Sequence, residues 1–151
     1  MVEKKILDFE LVTTGGGSFK LSAQRGKKVV VYFYPKDNTP GCTLEGQEFR
    51  DLYPAFQKAN AMVVGISRDS VKSHEGFKSK QGFPFELLSD PDEIVCGQFG
   101  VMKLKNMYGK QVRGVERSTF VFDTAGKLAR EWRGVKAPGH AAEVLAFVET
   151  L

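Results

Sequence analysis

The sequence contains little cysteine, little histidine and no long apolar run. It has two cysteines and two histidines in 151 residues. So few cysteines exclude a disulfide-stapled scaffold, and their separation from the histidines gives little support to a closed zinc site. No stretch approaches the roughly 18 apolar residues of a membrane-spanning helix. The charged start, Met1 to Lys5, leads into no apolar segment, which argues against a secretory signal. We therefore expect a protein of the reducing cytoplasm.

Charge of one sign is not dominant overall, but basic residues are concentrated in one stretch. The net charge is +4, while residues 101–136 alone carry nine Lys or Arg against three acids. Such a stretch suggests nucleic acid as a partner. No run of five basic residues and no zinc-finger or RNP-type motif accompanies it, so a solvated basic loop and strand edge is the favoured interpretation. A nucleic-acid-binding or chaperone-like module stays as an alternative.

Length and composition predict one domain over residues 1–151. The hydrophobic share of 42% and the charged share of 26% are ordinary for globular proteins. The chain shows no internal repeat, no low-complexity tract and no domain boundary. Its length is near the commonest size of a single compact domain.

The hydrophobic pattern predicts alternating strands and helices, then an antiparallel hairpin. Six β-favouring residues, 29–34, suit a central strand buried on both faces, which stops at Pro35. The other predicted elements are an N-terminal β-hairpin around residues 9–21, a helix over 43–59 that Pro54 should kink or split, strands over 61–67 and 85–88, a helix over 70–82, a helix start with Asp90 as N-cap, a hairpin from 118–122 and 128–132, and a helix over 139–150. This order predicts an α/β domain whose mixed central sheet has helices on both faces.

One polar segment between the central strand and the next helix carries the chemistry. Thr39 followed by Pro40 is typical of an N-cap and a first helical residue, which puts Cys42 in the first helical turn. Its sulfur would lie near unsatisfied backbone N–H groups and the positive end of the helix dipole. Both effects favour the thiolate, the nucleophilic form. A buried structural cysteine behind an ordinary cap is the alternative, against which the turn-rich polar surroundings argue.

The same segment resembles a known active-site motif. The spacing Pro35-x3-Thr39-x2-Cys42 is similar to that of the peroxiredoxins, and residues 32–43 (YFYPKDNTPGCT) resemble the bacterioferritin-comigratory, or Q-type, branch of that family. Residues 89–92, 105–110 and 116–120 match the same branch in the same order. The resemblance runs from about residue 6 to the C-terminus. It implies a thioredoxin-like fold and thiol-dependent reduction of hydroperoxides.

Carried over residue by residue, the resemblance assigns a role to each site residue. Cys42 would be the peroxidatic cysteine, Thr39 would hydrogen-bond the peroxide, and Pro35 would shield the pocket from water. Arg117 would be the motif arginine, whose guanidinium can hold both the thiolate and the departing oxygen. Glu45 is expected to orient the site by contacting an arginine. The product is a sulfenic acid on Cys42.

The sequence departs from the branch at the second cysteine. Many Q-type members carry a resolving cysteine five residues after the first, where this chain has Gln47, and the predicted helix 70–82 has no cysteine either. Only Cys96 remains, in a short apolar helical segment where a free cysteine is often a small core residue. Cys96 can be structural, resolving or intermolecular. We expect a one-cysteine mechanism in which an external thiol reduces Cys42.

The resulting prediction is a peroxiredoxin that needs no metal, haem or flavin. The substrates would be hydrogen peroxide and small organic hydroperoxides, and the reductant thioredoxin, glutaredoxin or a small thiol. The Q-type resemblance implies a monomer, with a weak dimer as the alternative, and neither nucleic acid nor a membrane as partner. A Cys–His hydrolase would need His74 or His140 beside Cys42, and thiol–disulfide exchange would need a Cys-x-x-Cys pair that the sequence lacks.

Overall fold

The computed structural model describes residues 8–151, so the charged start at Met1 to Lys5 lies outside the described residues. The strands are β1 Glu10–Thr13, β2 Ser18–Lys20, β3 Lys28–Phe33, β4 Ala61–Ser67, β5 Leu87–Ser89, β6 Met102–Met107, β7 Lys110–Val115, β8 Ser118–Phe122 and β9 Leu128–Arg133. The helices are α1 Pro40–Lys58, α2 Val71–Gln81, α3 Ile94–Gln98 and α4 His140–Val148. No helix in this range combines the length and the apolar character needed to cross a bilayer.

Seven strands form one mixed sheet in the order β2-β1-β5-β4-β3-β8-β9. The strands β3, β4 and β5 run parallel, and β8 is antiparallel to β3. The N-terminal hairpin of β1 and β2 joins the sheet because β1 also pairs with β5. The predicted mixed sheet and the predicted N-terminal hairpin are therefore confirmed. Strand β3 is the buried central strand of the sheet.

The sheet separates two hydrophobic layers, and alternate residues of β3 face each of them. Val30 and Tyr32 belong to the layer that contains α1, α2 and α4. Val31 and Phe33 belong to the opposite layer, which α3 and the N-terminal aromatic residues complete. This alternation follows from the two-residue period of a strand, and the prediction of helices on both faces is confirmed.

Pro54 is predicted to kink or split this helix; helix α1 continues through Pro54, so the split is wrong. A proline inside a helix removes one backbone hydrogen bond and costs about 3 kcal/mol. Phe49 and Phe56 lie on either side of Pro54, and both are completely buried against the sheet. Burying a Phe side chain contributes about 1.5–3 kcal/mol each, which offsets the cost of the proline.

Two local predictions need correction. The helix predicted to have Asp90 as its N-cap has Glu93 in that position, three residues later, and begins at Ile94; Glu93 adopts a left-handed conformation. Asp90 still accepts hydrogen bonds from the backbone N–H groups of Val95 and Cys96. The stretch interpreted as a basic loop contains a separate two-stranded hairpin, β6 and β7. Apolar and polar residues alternate over only Met102 to Lys105 of this hairpin, the shortest stretch that predicts a strand.

Candidate active site

Cys42 lies in the first turn of α1, directly beyond the central strand. Thr39 has an extended conformation at the N-cap, and Pro40 occupies the first helical position. The Thr39 carbonyl accepts the first intrahelical bond, from Thr43 N at 2.8 Å. The N–H groups of Gly41 and Cys42 precede that bond, so the sulfur lies at the positive end of the helix. Cys42 is 2% exposed, which keeps bulk water away from most of its surface.

Arg117 contacts the Cys42 sulfur. Its Nη2 lies 3.4 Å from Sγ, and its Nη1 donates to Glu45 Oε1 at 2.6 Å. The pairing of β8 with β3 brings the residue before β8 next to the loop after β3. Gly41 makes room for the guanidinium, since a Cβ at that position would lie 3.0 Å from Nη2. The fork of the guanidinium thus joins the thiol and the carboxylate in one arrangement.

Glu45 is completely buried, and burial and the neighbouring Arg117 change its pKa in opposite directions. Burial raises the pKa of this carboxyl to about 7, although Arg117 acts in the opposite direction. Its Oε2 has no hydrogen-bond partner within residues 8–151. Burial alone would lower the pKa of Arg117, but the Glu45 carboxylate and the Cys42 sulfur outweigh that effect and raise it. Arg117 therefore remains a cation beside the sulfur at every physiological pH.

Thr39 and Pro35 lie in the loop that joins β3 to α1, and both are half-buried. The Thr39 hydroxyl donates to the Lys36 carbonyl at 2.8 Å and makes no bond to the helix N-terminus. Thr39 is thus the N-cap residue by backbone position, but its side chain does not cap the helix. The hydroxyl oxygen keeps its lone pairs for a further donor.

Aromatic side chains form the wall of the layer that contains Cys42. Tyr32 stacks on Phe49 with ring centroids 4.7 Å apart, and Trp132 belongs to the same cluster. Phe33 faces the opposite layer, because neighbouring strand residues face opposite sides of the sheet.

Cys96 lies in that opposite layer as well. It is completely buried among the residues that α3 packs against the sheet. Burial, reinforced by the nearby Asp90 carboxylate, raises the pKa of its thiol. Both cysteines are free, and the central sheet lies between their two clusters. A thiol in this position is held in its unreactive, protonated form.

Two buried polar residues beside the site were missed from the sequence. His74 was assigned to a polar helix, yet its side chain is completely buried. Its Nδ1 lies 2.7 Å from Oδ2 of Asp37, which is 4% exposed and belongs to the loop that carries Thr39. The signal available in the sequence was a charged residue inside the motif segment, together with one of only two histidines.

Comparison with known proteins gives a consistent picture over most of the chain. The model of the AhpC/TSA family matches residues 2–131. Peroxiredoxin Bcp of Xanthomonas campestris is 55% identical over 94% of this chain and 89% of its own length. Peroxiredoxin Bcp of Bacillus subtilis is 46% identical over 99% of this chain and 96% of its own length.

Solved structures agree with the sequence comparison. A structure of peroxiredoxin Q from Xanthomonas campestris superposes with a TM-score of 0.90 at 54% identity, covering 94% of this chain and 90% of the other. A bacterioferritin comigratory protein from Xanthomonas campestris, described with its alkyl peroxide reduction activity and trapped intermediate or ligand complexes, has the same TM-score of 0.90 at 53% identity and the same coverage. The predicted thioredoxin-like peroxiredoxin fold is confirmed.

Proposed function

The chain belongs to the AhpC/TSA family and is a peroxiredoxin, a thiol peroxidase, and from this premise we propose that Cys42 is the residue that attacks the peroxide. The observation that carries the assignment is the 3.4 Å contact between Arg117 Nη2 and Cys42 Sγ at the N-terminus of α1. A cation and a helix N-terminus at one sulfur stabilise the thiolate. Cys96 lies buried in the opposite layer, where burial and the Asp90 carboxylate raise the pKa of its thiol.

The reaction at Cys42 is a substitution at oxygen. The thiolate attacks one peroxide oxygen, an S–O bond forms and the O–O bond breaks. The sulfur becomes a sulfenic acid, and the departing oxygen leaves as water or an alcohol after taking up a proton. Negative charge builds on that oxygen, and the Arg117 guanidinium stabilises it. Glu45 fixes the guanidinium through the 2.6 Å hydrogen bond to Nη1. The Thr39 hydroxyl forms a hydrogen bond with the peroxide. Pro35 shields the pocket from water.

The sulfenic acid is reduced by a thiol from outside the chain. A first external thiol displaces water to form a mixed disulfide with Cys42, and a second thiol releases Cys42 and a disulfide. A disulfide to Cys96 would require the two Cα atoms to come within about 7 Å. The two cysteines belong to layers on opposite faces of the seven-stranded sheet, so that bond would require local unfolding of the segments that carry them. This separation supports the one-cysteine mechanism.

The reductant is thioredoxin, glutaredoxin or a small thiol, and the substrates are hydrogen peroxide and small organic hydroperoxides. The protein acts as a monomer in the cytoplasm. Two free thiols suit a reducing compartment. The exposed basic side chains of the β6–β7 hairpin are solvated. A nucleic-acid-binding or chaperone-like role for them would not explain the contact between Cys42 and Arg117.

The test compares two cysteine variants in steady-state peroxide reduction with thioredoxin, glutaredoxin and a small thiol as alternative donors. Cys42→Ser is expected to abolish activity with every donor, and Cys96→Ser to retain multiple turnover. Cys96→Ser that completes one turnover and then stops would overturn the one-cysteine mechanism. Activity that survives Cys42→Ser would overturn the assignment of the attacking residue.

A further inference from the structure

The buried carboxylate of Asp37 anchors the loop that leads to Cys42. Asp37 accepts hydrogen bonds from Tyr34 Oη at 2.6 Å and Ser73 Oγ at 2.8 Å. Its Oδ2 also lies 2.7 Å from His74 Nδ1. Tyr34 directly follows β3 and donates its backbone N–H to the Ile66 carbonyl of β4, whereas Ser73 and His74 belong to the first turn of α2. Asp37 therefore connects the loop to two separate elements.

Both ring nitrogens of His74 have a buried partner. Its Nε2 lies 2.9 Å from the Leu88 carbonyl in β5, which can only accept, so Nε2 donates to it. Its Nδ1 lies 2.7 Å from Asp37 Oδ2. His74 and Asp37 therefore form a buried hydrogen-bonded pair that connects the loop to α2 and β5.

The backbone of the loop is fixed at the same place. Asp37 N donates to Asp69 Oδ2 at 2.9 Å, and that oxygen also accepts from Ser67 Oγ at 2.6 Å. The next residue, Asn38, has a φ of 64°, a left-handed conformation that turns the chain from Asp37 toward Thr39. Such a conformation in a residue other than glycine persists only where surrounding contacts impose it.

We propose that Asp37 and His74 are positioning residues for the peroxidase reaction. Neither contacts the Cys42 sulfur within the described residues. Their pair fixes the loop conformation, and the loop in turn fixes the Thr39 hydroxyl and the start of α1, where Cys42 lies. This proposal rests on the proposed function, since it takes Cys42 as the attacking residue.

A metal ion is a weaker explanation for the same cluster. Asp37, Asp69 and His74 bring ligand atoms within 4.8 Å of one another. The closest approach, 2.7 Å between Nδ1 and Oδ2, is that of a charge-assisted hydrogen bond. Asp37 Oδ1 accepts from Tyr34, and Asp69 Oδ2 accepts from Ser67 and from the loop backbone. The polar atoms of the cluster are therefore directed at one another.

The test measures single-turnover oxidation of Cys42 by hydrogen peroxide, followed by the fluorescence of Trp132, the only tryptophan. Asp37→Asn and His74→Gln are each expected to slow this step on the order of 10- to 100-fold, the effect of small misplacements at a reacting centre. The double variant should be no slower than the slower single variant, because both changes break one pair. Alkylation of Cys42 by iodoacetamide, which does not need Thr39, should change much less than peroxide oxidation.

The control is Phe122→Leu, a core change in the layer opposite to Cys42. It lowers stability without touching the loop, and it should keep the peroxide rate of the unmodified protein. The proposal would be overturned if Phe122→Leu slowed the peroxide reaction as much as the loop variants do. It would also be overturned if His74→Gln slowed peroxide oxidation and alkylation equally, because the pair would then only stabilise the fold in general. Failure of the unmodified protein to react with peroxide at Cys42 would instead contradict the proposed function.

A further variant covers the case in which Asp37→Asn or His74→Gln does not fold. Ser73→Ala, which removes one donor from Asp37, then replaces the unfolded variant in the kinetic test. A several-fold slower peroxide reaction is expected, and an unchanged rate contradicts the positioning role.

Discussion

Replacing Glu45 by glutamine should change how the stability of the protein depends on pH. The folded protein holds the Glu45 proton up to a pKa of about 7, mainly because the side chain is buried, whereas the ordinary value is 4.5. Between these two pH values the unfolded chain releases the proton and the folded protein keeps it. The free energy of unfolding of the unmodified protein therefore falls as pH rises through this window, and this contribution levels off above it.

The size of the effect follows from the two pKa values. Each pH interval of one within the window changes the free energy of unfolding by about 1.4 kcal/mol, so the whole window amounts to about 3 kcal/mol. Glutamine has no proton to release, so Glu45→Gln lacks this contribution. The stability of the variant relative to the unmodified protein should rise by about 3 kcal/mol between about pH 4.5 and about pH 8.

The assay is urea unfolding followed by Trp132 fluorescence at several pH values, with reductant present throughout. Other titrating groups contribute equally to both proteins, so the difference between the two isolates Glu45. The control is Glu75→Gln, the same change at an exposed position of α2, where neither state buries the carboxyl. A stability difference between Glu45→Gln and the unmodified protein that stays constant from acid to alkaline pH would contradict the raised pKa of Glu45.

Glu45→Gln should also react about tenfold more slowly with peroxide, because a neutral amide holds Arg117 less firmly than a carboxylate.

Three further substitutions test individual contacts. Arg117→Lys should lower the second-order rate of Cys42 oxidation on the order of 10²- to 10³-fold in stopped-flow measurements, since an ammonium cannot contact Glu45 and Cys42 as a fork does; a near-normal rate contradicts the role. Thr39→Val should slow the same reaction about tenfold but cost only about 1 kcal/mol in urea unfolding, because the hydroxyl bonds a loop carbonyl and does not cap α1. Gly46→Ala should cost about 1–3 kcal/mol in thermal unfolding, since its Cβ would lie 2.3 Å from Phe83 Cζ; an unchanged midpoint contradicts this.

The site could be predicted to the extent that it depends on short-range sequence. Thr39 followed by Pro40 predicts the start of a helix, and α1 does begin there, with Cys42 in its first turn. The hydrophobic run before Pro35 predicts the central strand that delivers this segment. Arg117 is 75 residues away from Cys42, so no local pattern indicates their contact. The family resemblance supplied it, and the pairing of β3 with β8 gives its physical cause.

The parts that sequence reasoning missed depend on long-range burial. His74 lies on a helix with mostly polar neighbours, and only the packing of α2 against β5 removes it from water. Pro54 favours a kink or a split, but the burial of two phenylalanines keeps α1 one continuous helix. The alternatives for Cys96 stayed open because residue spacing does not reveal which face of the sheet a side chain occupies. The structure supplies that information.

The central claim is that Cys42 alone carries the oxidation and that Cys96 takes no part in it. The most direct measurement is mass spectrometry of the purified protein after one equivalent of hydrogen peroxide, with a sulfenic-acid trap present. We expect a trapped adduct on Cys42 and an unmodified Cys96. A disulfide between Cys42 and Cys96 would contradict the one-cysteine mechanism, and an unreacted Cys42 would contradict the assignment of the active site.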